Sequence, residues 1–216
     1  MGQFANRDGK FIIENLIKTI QESVSYLNEI DGATGDGDHG INMGKGCRFC
    51  EEELKGKDIG FSSSLEILGR TFLTEIDDVT GPFYGAFFYE MSLTCRGIDE
   101  IDGDVFGKML ETAPKWIQDI GGARLGDKTI LDTLIPAVKA YNKAKERGFR
   151  VALEEMRRAS EQGKESTRDM VAKVGKASRL GERSRGHLDA GATSCWLILE
   201  SFADSILTII RVCLES

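Results

Sequence analysis

The sequence predicts an all-α fold of about eight helices packed antiparallel. Apolar residues recur at three-to-four spacing in segment after segment, regular strand alternation persists nowhere for long, and only three prolines interrupt the 216 residues. At 41% hydrophobic the chain can bury one substantial core, and no linker divides it, so residues 1–216 read as a single domain.

The first helix is drawn by Ile12 and Ile13, Leu16 and Ile17, Ile20, Val24 and Leu27, one apolar face running from Phe11 to Leu27. It delivers the chain into Asp31-Gly-Ala-Thr-Gly-Asp36-Gly-Asp38-His39-Gly40-Ile41-Asn42, where three carboxylates stand among glycines and a helix begins near Gly40 or Ile41. Magnesium takes oxygen ligands, and nucleotide sites hold it with a few carboxylates while phosphates and water complete the shell. Asp31, Asp36 and Asp38 are therefore candidate metal ligands. Gly35, Gly37 and Gly40 let the backbone approach a ligand closely, and a helix start offers amides to a phosphate. The same residue types also suit a plain capped turn. An EF-hand is excluded, because the twelfth position counted from Asp31 is Asn42 where that calcium loop needs Glu.

Leu65, Leu68, Phe72, Leu73 and Ile76 mark the next helical face. Thr80-Gly81-Pro82-Phe83-Tyr84-Gly85 then turns into a helix, with the Gly81 amide and the Thr80 hydroxyl available to phosphate oxygens or to ordinary turn bonding. A further face follows in Val105, Met109, Leu110, Trp116 and Ile117. In Gly126-Asp127-Lys128-Thr129-Ile130-Leu131-Asp132-Thr133, Asp127 is placed to cap a helix continued by Leu134, Ile135, Val138 and Tyr141, and Lys128 to face phosphate or solvent. Between Leu180 and Ser194, Arg183 and Arg185 stand beside glycines, an arrangement suited to bidentate anion recognition or to an exposed, salt-bridged loop. The last helix carries Trp196, Leu197, Leu199, Phe202, Ile206, Ile209 and Val212.

Glycines concentrate at 32–46, 81–85, 121–126 and 181–191, each time at a helix junction. In an up-and-down bundle, junctions two helices apart emerge at the same end, so these loops can line one pocket.

A formal charge of −7 and a pI near 5.1 argue against nucleic acid or an anionic membrane as partner, since both need a basic face. Cys47, Cys50, Cys95, Cys195 and Cys213 are odd in number and sit in helical patterns, which suits a reduced, cytoplasmic protein. Cys47-x-x-Cys50 has no second pair at zinc spacing, and positions three apart on a helix share a face, so packing is the expected role. No signal pattern opens the chain, and Cys195–Leu214 is broken by Glu200, Asp204 and Arg211, as in a buried helix and unlike a membrane span.

Taken in order, Gly35–Met43, Gly81–Gly85, Gly126–Pro136, Leu180–Ser184, Gly186-His187 and Gly191–Ser194 resemble the nucleotide-binding L subunit of dihydroxyacetone kinases, collinearly from the first helix to the last. The resemblance implies an eight-helix antiparallel barrel with a nucleotide at one end and two magnesium ions held by Asp31, Asp36 and Asp38. It implies that His39, Gly40, Ile41 and Asn42 hold the nucleotide from the helix start, that Val79, Thr80 and Gly121 line it, that Ile130 packs on the base, and that Asp189, Ala190 and Gly191 cover it. It implies a partner K subunit that binds dihydroxyacetone through a histidine. It also implies ADP kept as a bound cofactor (or ATP exchanged from solution), recharged by an M-type protein of the phosphotransferase system. Contact with a transcription regulator is known in the family, and a homodimer is left open.

The chain departs from the family pattern in three places: Asp77-Asp78 stands for a glycine pair, Lys176 for an arginine that would join the nucleotide site, and Ala190 for a proline. Carboxylates beside polyphosphate repel it unless they face solvent or bind a cation. The departures admit an ATP-exchanging kinase subunit for another sugar or a regulatory binding protein. A magnesium-dependent hydrolase on the same aspartates is the third reading, weakened because only His39 and His187 offer a base.

Overall fold

The computed structural model describes residues 2–215, apart from the side chains of Ile120 and residues 211–215. Nine α-helices are described: α1 Lys10–Glu22, α2 Val24–Gly32, α3 His39–Leu54, α4 Phe61–Glu75, α5 Thr80–Cys95, α6 Gly103–Gly121, α7 Ile130–Ala144, α8 Phe149–Ser166 and α9 Ala190–Glu215. The single helix expected from Phe11 to Leu27 is two, α1 and α2, broken at Ser23. There the Ser23 hydroxyl donates back to the Thr19 carbonyl at 2.8 Å, a bond that bends helices. Counting α1 and α2 as one stave, each helix packs on the next in sequence and α9 returns to α1, which closes a ring of eight.

The staves bury their apolar faces inward, and aromatic rings fill the middle. Phe106 meets Phe202 edge-on at 6.0 Å between centroids, and Phe202 meets Phe61 at 6.3 Å. Two three-residue strands, β1 Gln3–Ala5 and β2 Glu100–Asp102, pair antiparallel with Phe4 opposite Ile101. This clasp ties the segment before α1 to the one before α6.

Ala190–Ile210 in α9 is long and apolar enough to cross a membrane by length and composition, yet 61% of that window is buried within the barrel. Cys47, Cys50, Cys95 and Cys195 are free and buried in the core, with the Cys50 thiol pushed up to about 12 by burial, while the side chain of Cys213 lies outside the described residues. Alternation of direction puts the α2–α3, α4–α5, α6–α7 and α8–α9 junctions at one end, which is where the glycine clusters lie.

Candidate functional site

Those four junctions enclose a cavity of about 530 Å³, inside the roughly 300–1,000 Å³ range of small-molecule sites. Asp31 reaches it from the last turn of α2, Asp36 from the loop, and Asp38 from the N-cap of α3. The loop is built around one carboxylate: Asp31 Oδ2 accepts from the amides of Gly37 at 2.9 Å, Asp38 at 3.0 Å and His39 at 3.3 Å. Two glycines make this possible. A Cβ on residue 35 would lie 2.4 Å from Asp31 Oδ1, and one on residue 40 would lie 2.2 Å from the Val24 carbonyl oxygen.

Asp31, Asp36 and Asp38 each offer an oxygen within 4.8 Å of the others, the one such grouping of three metal-capable side chains among the described residues. An all-oxygen, all-carboxylate donor set fits a hard cation such as magnesium. Lys176 lies over the group with Nζ hydrogen-bonded to Asp36 Oδ2, which holds the Asp36 carboxyl below the usual range and raises the lysine. Asp38 moves the other way, raised by partial burial and by Asp36 beside it.

Under the cavity runs a chain of hydroxyls. His39 Nε2 and Ser194 Oγ are 2.8 Å apart, and Ser194 Oγ lies 2.5 Å from the Tyr84 hydroxyl, so residues from α3, α5 and α9 share one hydrogen-bonded line. Burial lowers the His39 pKa, favouring a neutral ring that serves as a hydrogen-bonding partner. Phe83, Ile117, Ala123, Ile130, Val174 and Ala177 give the cavity an apolar portion able to take a flat ring.

Of the residues the sequence points to, Asp31, Asp36, Asp38, His39, Val79, Thr80, Gly121, Ile130, Lys176, Asp189, Ala190 and Gly191 all line this cavity. Gly40, Ile41 and Asn42 are not in its lining. Gly40 is packed against α2, Ile41 is 55% exposed, and the Asn42 amide donates to Asp78 Oδ2 at 2.9 Å. Two of the first-turn amides expected to be free for phosphate are engaged within the protein: His39 N donates to Asp31, and Ile41 N to Asn28 Oδ1 at 3.0 Å. At α5 the Thr80 amide and hydroxyl both donate to Asp78, at 3.0 and 3.1 Å, and the Gly81 amide donates to the Asp78 carbonyl at 3.1 Å. Asp78, partly exposed at the cavity wall, thus has its carboxylate oxygens occupied by the donors around it.

Two further expectations are corrected. Asp127 is not the cap of α7. Thr129 is, in a capping box with Asp132, while Asp127 accepts from the Arg124 amide at 2.7 Å. Lys128 faces neither phosphate nor solvent. It is 2% exposed at φ +64°, and its Nζ donates to the carbonyls of Thr167 at 2.9 Å, Met170 at 3.3 Å, Ser184 at 2.7 Å and His187 at 2.6 Å. The long α8–α9 connection, which brings Val174, Gly175 and Lys176 to the cavity, is folded around this one ammonium group. Arg183 and Arg185 do not reach the cavity; Arg185 pairs with Glu182 at 3.1 Å, as in the salt-bridged alternative.

Asp189 caps α9, its Oδ2 accepting from the Ala192 amide at 2.7 Å, and burial pushes its carboxyl up to about 7. The unfolded value lies near about 4, so the folded protein binds this proton more tightly. Its stabilising contribution is complete below about pH 4 and is lost as pH rises to about 7. In denaturant titrations the stability of the wild type relative to Asp189→Asn is expected to fall across that interval and level off above it. A difference that stays constant with pH would contradict the assignment.

Fold and site together define a class: a closed helical barrel with a carboxylate-bearing, glycine-lined cavity at one end. A profile of the DAK2 domain matches residues 33–204. The chain is 34% identical over 183 residues to the "PEP-dependent dihydroxyacetone kinase, ADP-binding subunit DhaL" of Escherichia coli K12, covering 82% of this chain and 86% of that one. It is 30% identical over 199 residues to the "PEP-dependent dihydroxyacetone kinase 2, ADP-binding subunit DhaL" of Listeria innocua, covering 90% and 92%. The crystal structure of the dihydroxyacetone kinase of C. freundii in complex with AMP-PNP and Mg2+ superposes with a TM-score of 0.68 at 22% identity, over 94% of this chain and 34% of that longer one. The chain belongs to the DAK2-domain family of dihydroxyacetone kinase L subunits.

Proposed function

We propose that this chain is the nucleotide-binding subunit of a dihydroxyacetone kinase. It carries an adenine nucleotide with magnesium and passes a phosphoryl group to dihydroxyacetone, or a similar short ketose, bound on a separate K-type subunit. The observation that carries the reading is the convergence of Asp31, Asp36 and Asp38 with Lys176 at a cavity that also has an apolar portion. Phosphates need the charged part, a purine the apolar one.

Asp31, Asp36 and Asp38 would hold up to two magnesium ions, which when bound neutralise phosphate charge and orient the transferring group. Lys176, bonded to Asp36, adds a positive charge over the same place. Ile130 and Phe83 supply the apolar contact for a base, and Asp189, Ala190 and Gly191 close the site from the start of α9. His39, tied to Ser194, keeps the metal loop in register with α9 and has no role as a base in this scheme. The names of the relatives, ADP-binding and PEP- or PTS-dependent, support ADP as the bound nucleotide and a phosphotransferase-system protein as donor.

The test is reconstitution. With a K-type subunit, dihydroxyacetone and a phosphotransferase-system donor, label is expected to pass to the ketose and to require this chain and magnesium. Release of inorganic phosphate by this chain alone, with no ketose phosphorylated, would establish the hydrolase reading instead.

A further inference from the structure

Asp78 stands in the short junction between α4 and α5, one residue before its end, and lies in the cavity lining with Thr80. Its Oδ1 accepts from the Thr80 amide at 3.0 Å, and its Oδ2 accepts from the Thr80 hydroxyl at 3.1 Å and the Asn42 side-chain amide at 2.9 Å. Three donors from two helices thus converge on one carboxylate, the arrangement that recognises a phosphate oxygen. Resting on the nucleotide reading above, we infer that Asp78 is an internal competitor for the nucleotide phosphates, which gain the Thr80 and Asn42 donors only by displacing its carboxylate, so that this residue sets how tightly the nucleotide is held.

Two features strengthen the argument. At the start of α3 the first-turn amides of His39 and Ile41 already serve Asp31 and Asn28, whereas the Thr80 and Asn42 donors, Asn42 standing behind Asp78 and outside the cavity lining, have as their present acceptor a side chain on a short, partly exposed junction. The neighbouring Val79 is 66% exposed, while Ile76 anchors only the start of the junction in the core. A carboxylate held only by the donors it occupies can leave them, and a phosphate arriving with magnesium on Asp31, Asp36 and Asp38 competes on better terms than a phosphate alone. The consequence is a nucleotide that exchanges with solution.

Calorimetric titration of the full-length protein with Mg-ADP and, separately, with adenosine tests this. Asp78→Gly is expected to tighten Mg-ADP at least tenfold while leaving adenosine unchanged, since adenosine has no phosphate to compete. Asp78→Asn, which keeps an acceptor for Thr80 but not the charge, is expected to fall between. A general effect on folding would move both ligands alike. If Asp78 were itself a metal ligand, or only a helix cap, both variants would bind Mg-ADP equally or more weakly, and the inference would be wrong while the nucleotide reading stood. If the folded wild type and both variants bind neither ligand, the nucleotide reading falls and this inference with it.

Discussion

Alanine at Asp36 or Asp38 is expected to abolish phosphoryl transfer while leaving the helical barrel intact. Each carboxylate contributes one of the three oxygens that converge within 4.8 Å, and neither carries the loop's backbone. Metal charge on a transferring phosphoryl group is worth several kcal/mol, which at about 1.36 kcal/mol per tenfold is a rate loss of roughly a hundredfold or more. Asp31→Ala should lose transfer to the same degree and also lose stability, because its Oδ2 is the acceptor for three amides. Stranding those donors costs about 1–3 kcal/mol. Transfer assayed with partners in excess, magnesium titration followed by calorimetry, and thermal melting separate the two effects. Normal transfer in the Asp36 or Asp38 variant would remove the metal assignment, and an unchanged melting point for Asp31→Ala would remove the structural one.

The largest effect on stability is expected from Lys128. Replacing it by Met leaves four carbonyls facing an apolar side chain in a site where Lys128 is 2% exposed. The loss should be about 3 kcal/mol or more, from bonds to a charged donor. For a chain of this size that is a fall in melting temperature of roughly 6–12 °C. Because the four carbonyls belong to the α8–α9 connection, amide exchange should quicken there first, from Thr167 to Asp189, while α4 and α5 stay protected. Lys128→Gly relieves the positive φ but removes the same ammonium group, so it should recover only part of the loss. Exchange that quickens uniformly over the barrel would argue that Lys128 supports the whole fold and has no special hold on the connection.

The contrast between these two sites marks what the sequence makes legible. Asp31, Asp36 and Asp38 lie within one local loop, so spacing alone reveals them as a group. Lys128 meets partners 39 to 59 positions away, and Asn42 meets Asp78 across 36. Only the folded chain brings such pairs together. Helices were legible where their buried faces are large and apolar, as in α1 and α9. By contrast, the apolar stripe of α8 is confined to its first two turns, Phe149, Leu153 and Met156, and the inner face then continues in Ser160, Gly163 and Lys164, small or polar residues that do not announce a buried helix. Lys164 lies over the Trp196 ring at 3.9 Å, a contact that periodicity cannot show. The glycine clusters were informative in a different way. They marked junctions, and up-and-down topology then gathered those junctions at one end.

At the opposite end, three junctions turn on glycines in open space: Gly56 at φ +73°, Gly97 at φ +74° and Gly148 at φ +114°, each with no atom within 4 Å of where a Cβ would be. The staves α3 to α8 run 15 to 19 residues, or roughly 22–28 Å at 1.5 Å per residue. A dye, an affinity handle or a surface anchor inserted at Gly56 or Gly97 would therefore stand a full barrel length from the aspartates. The molecule comes with a built-in grip, by which it can be immobilised for single-molecule or exchange measurements with its reacting end turned toward solution.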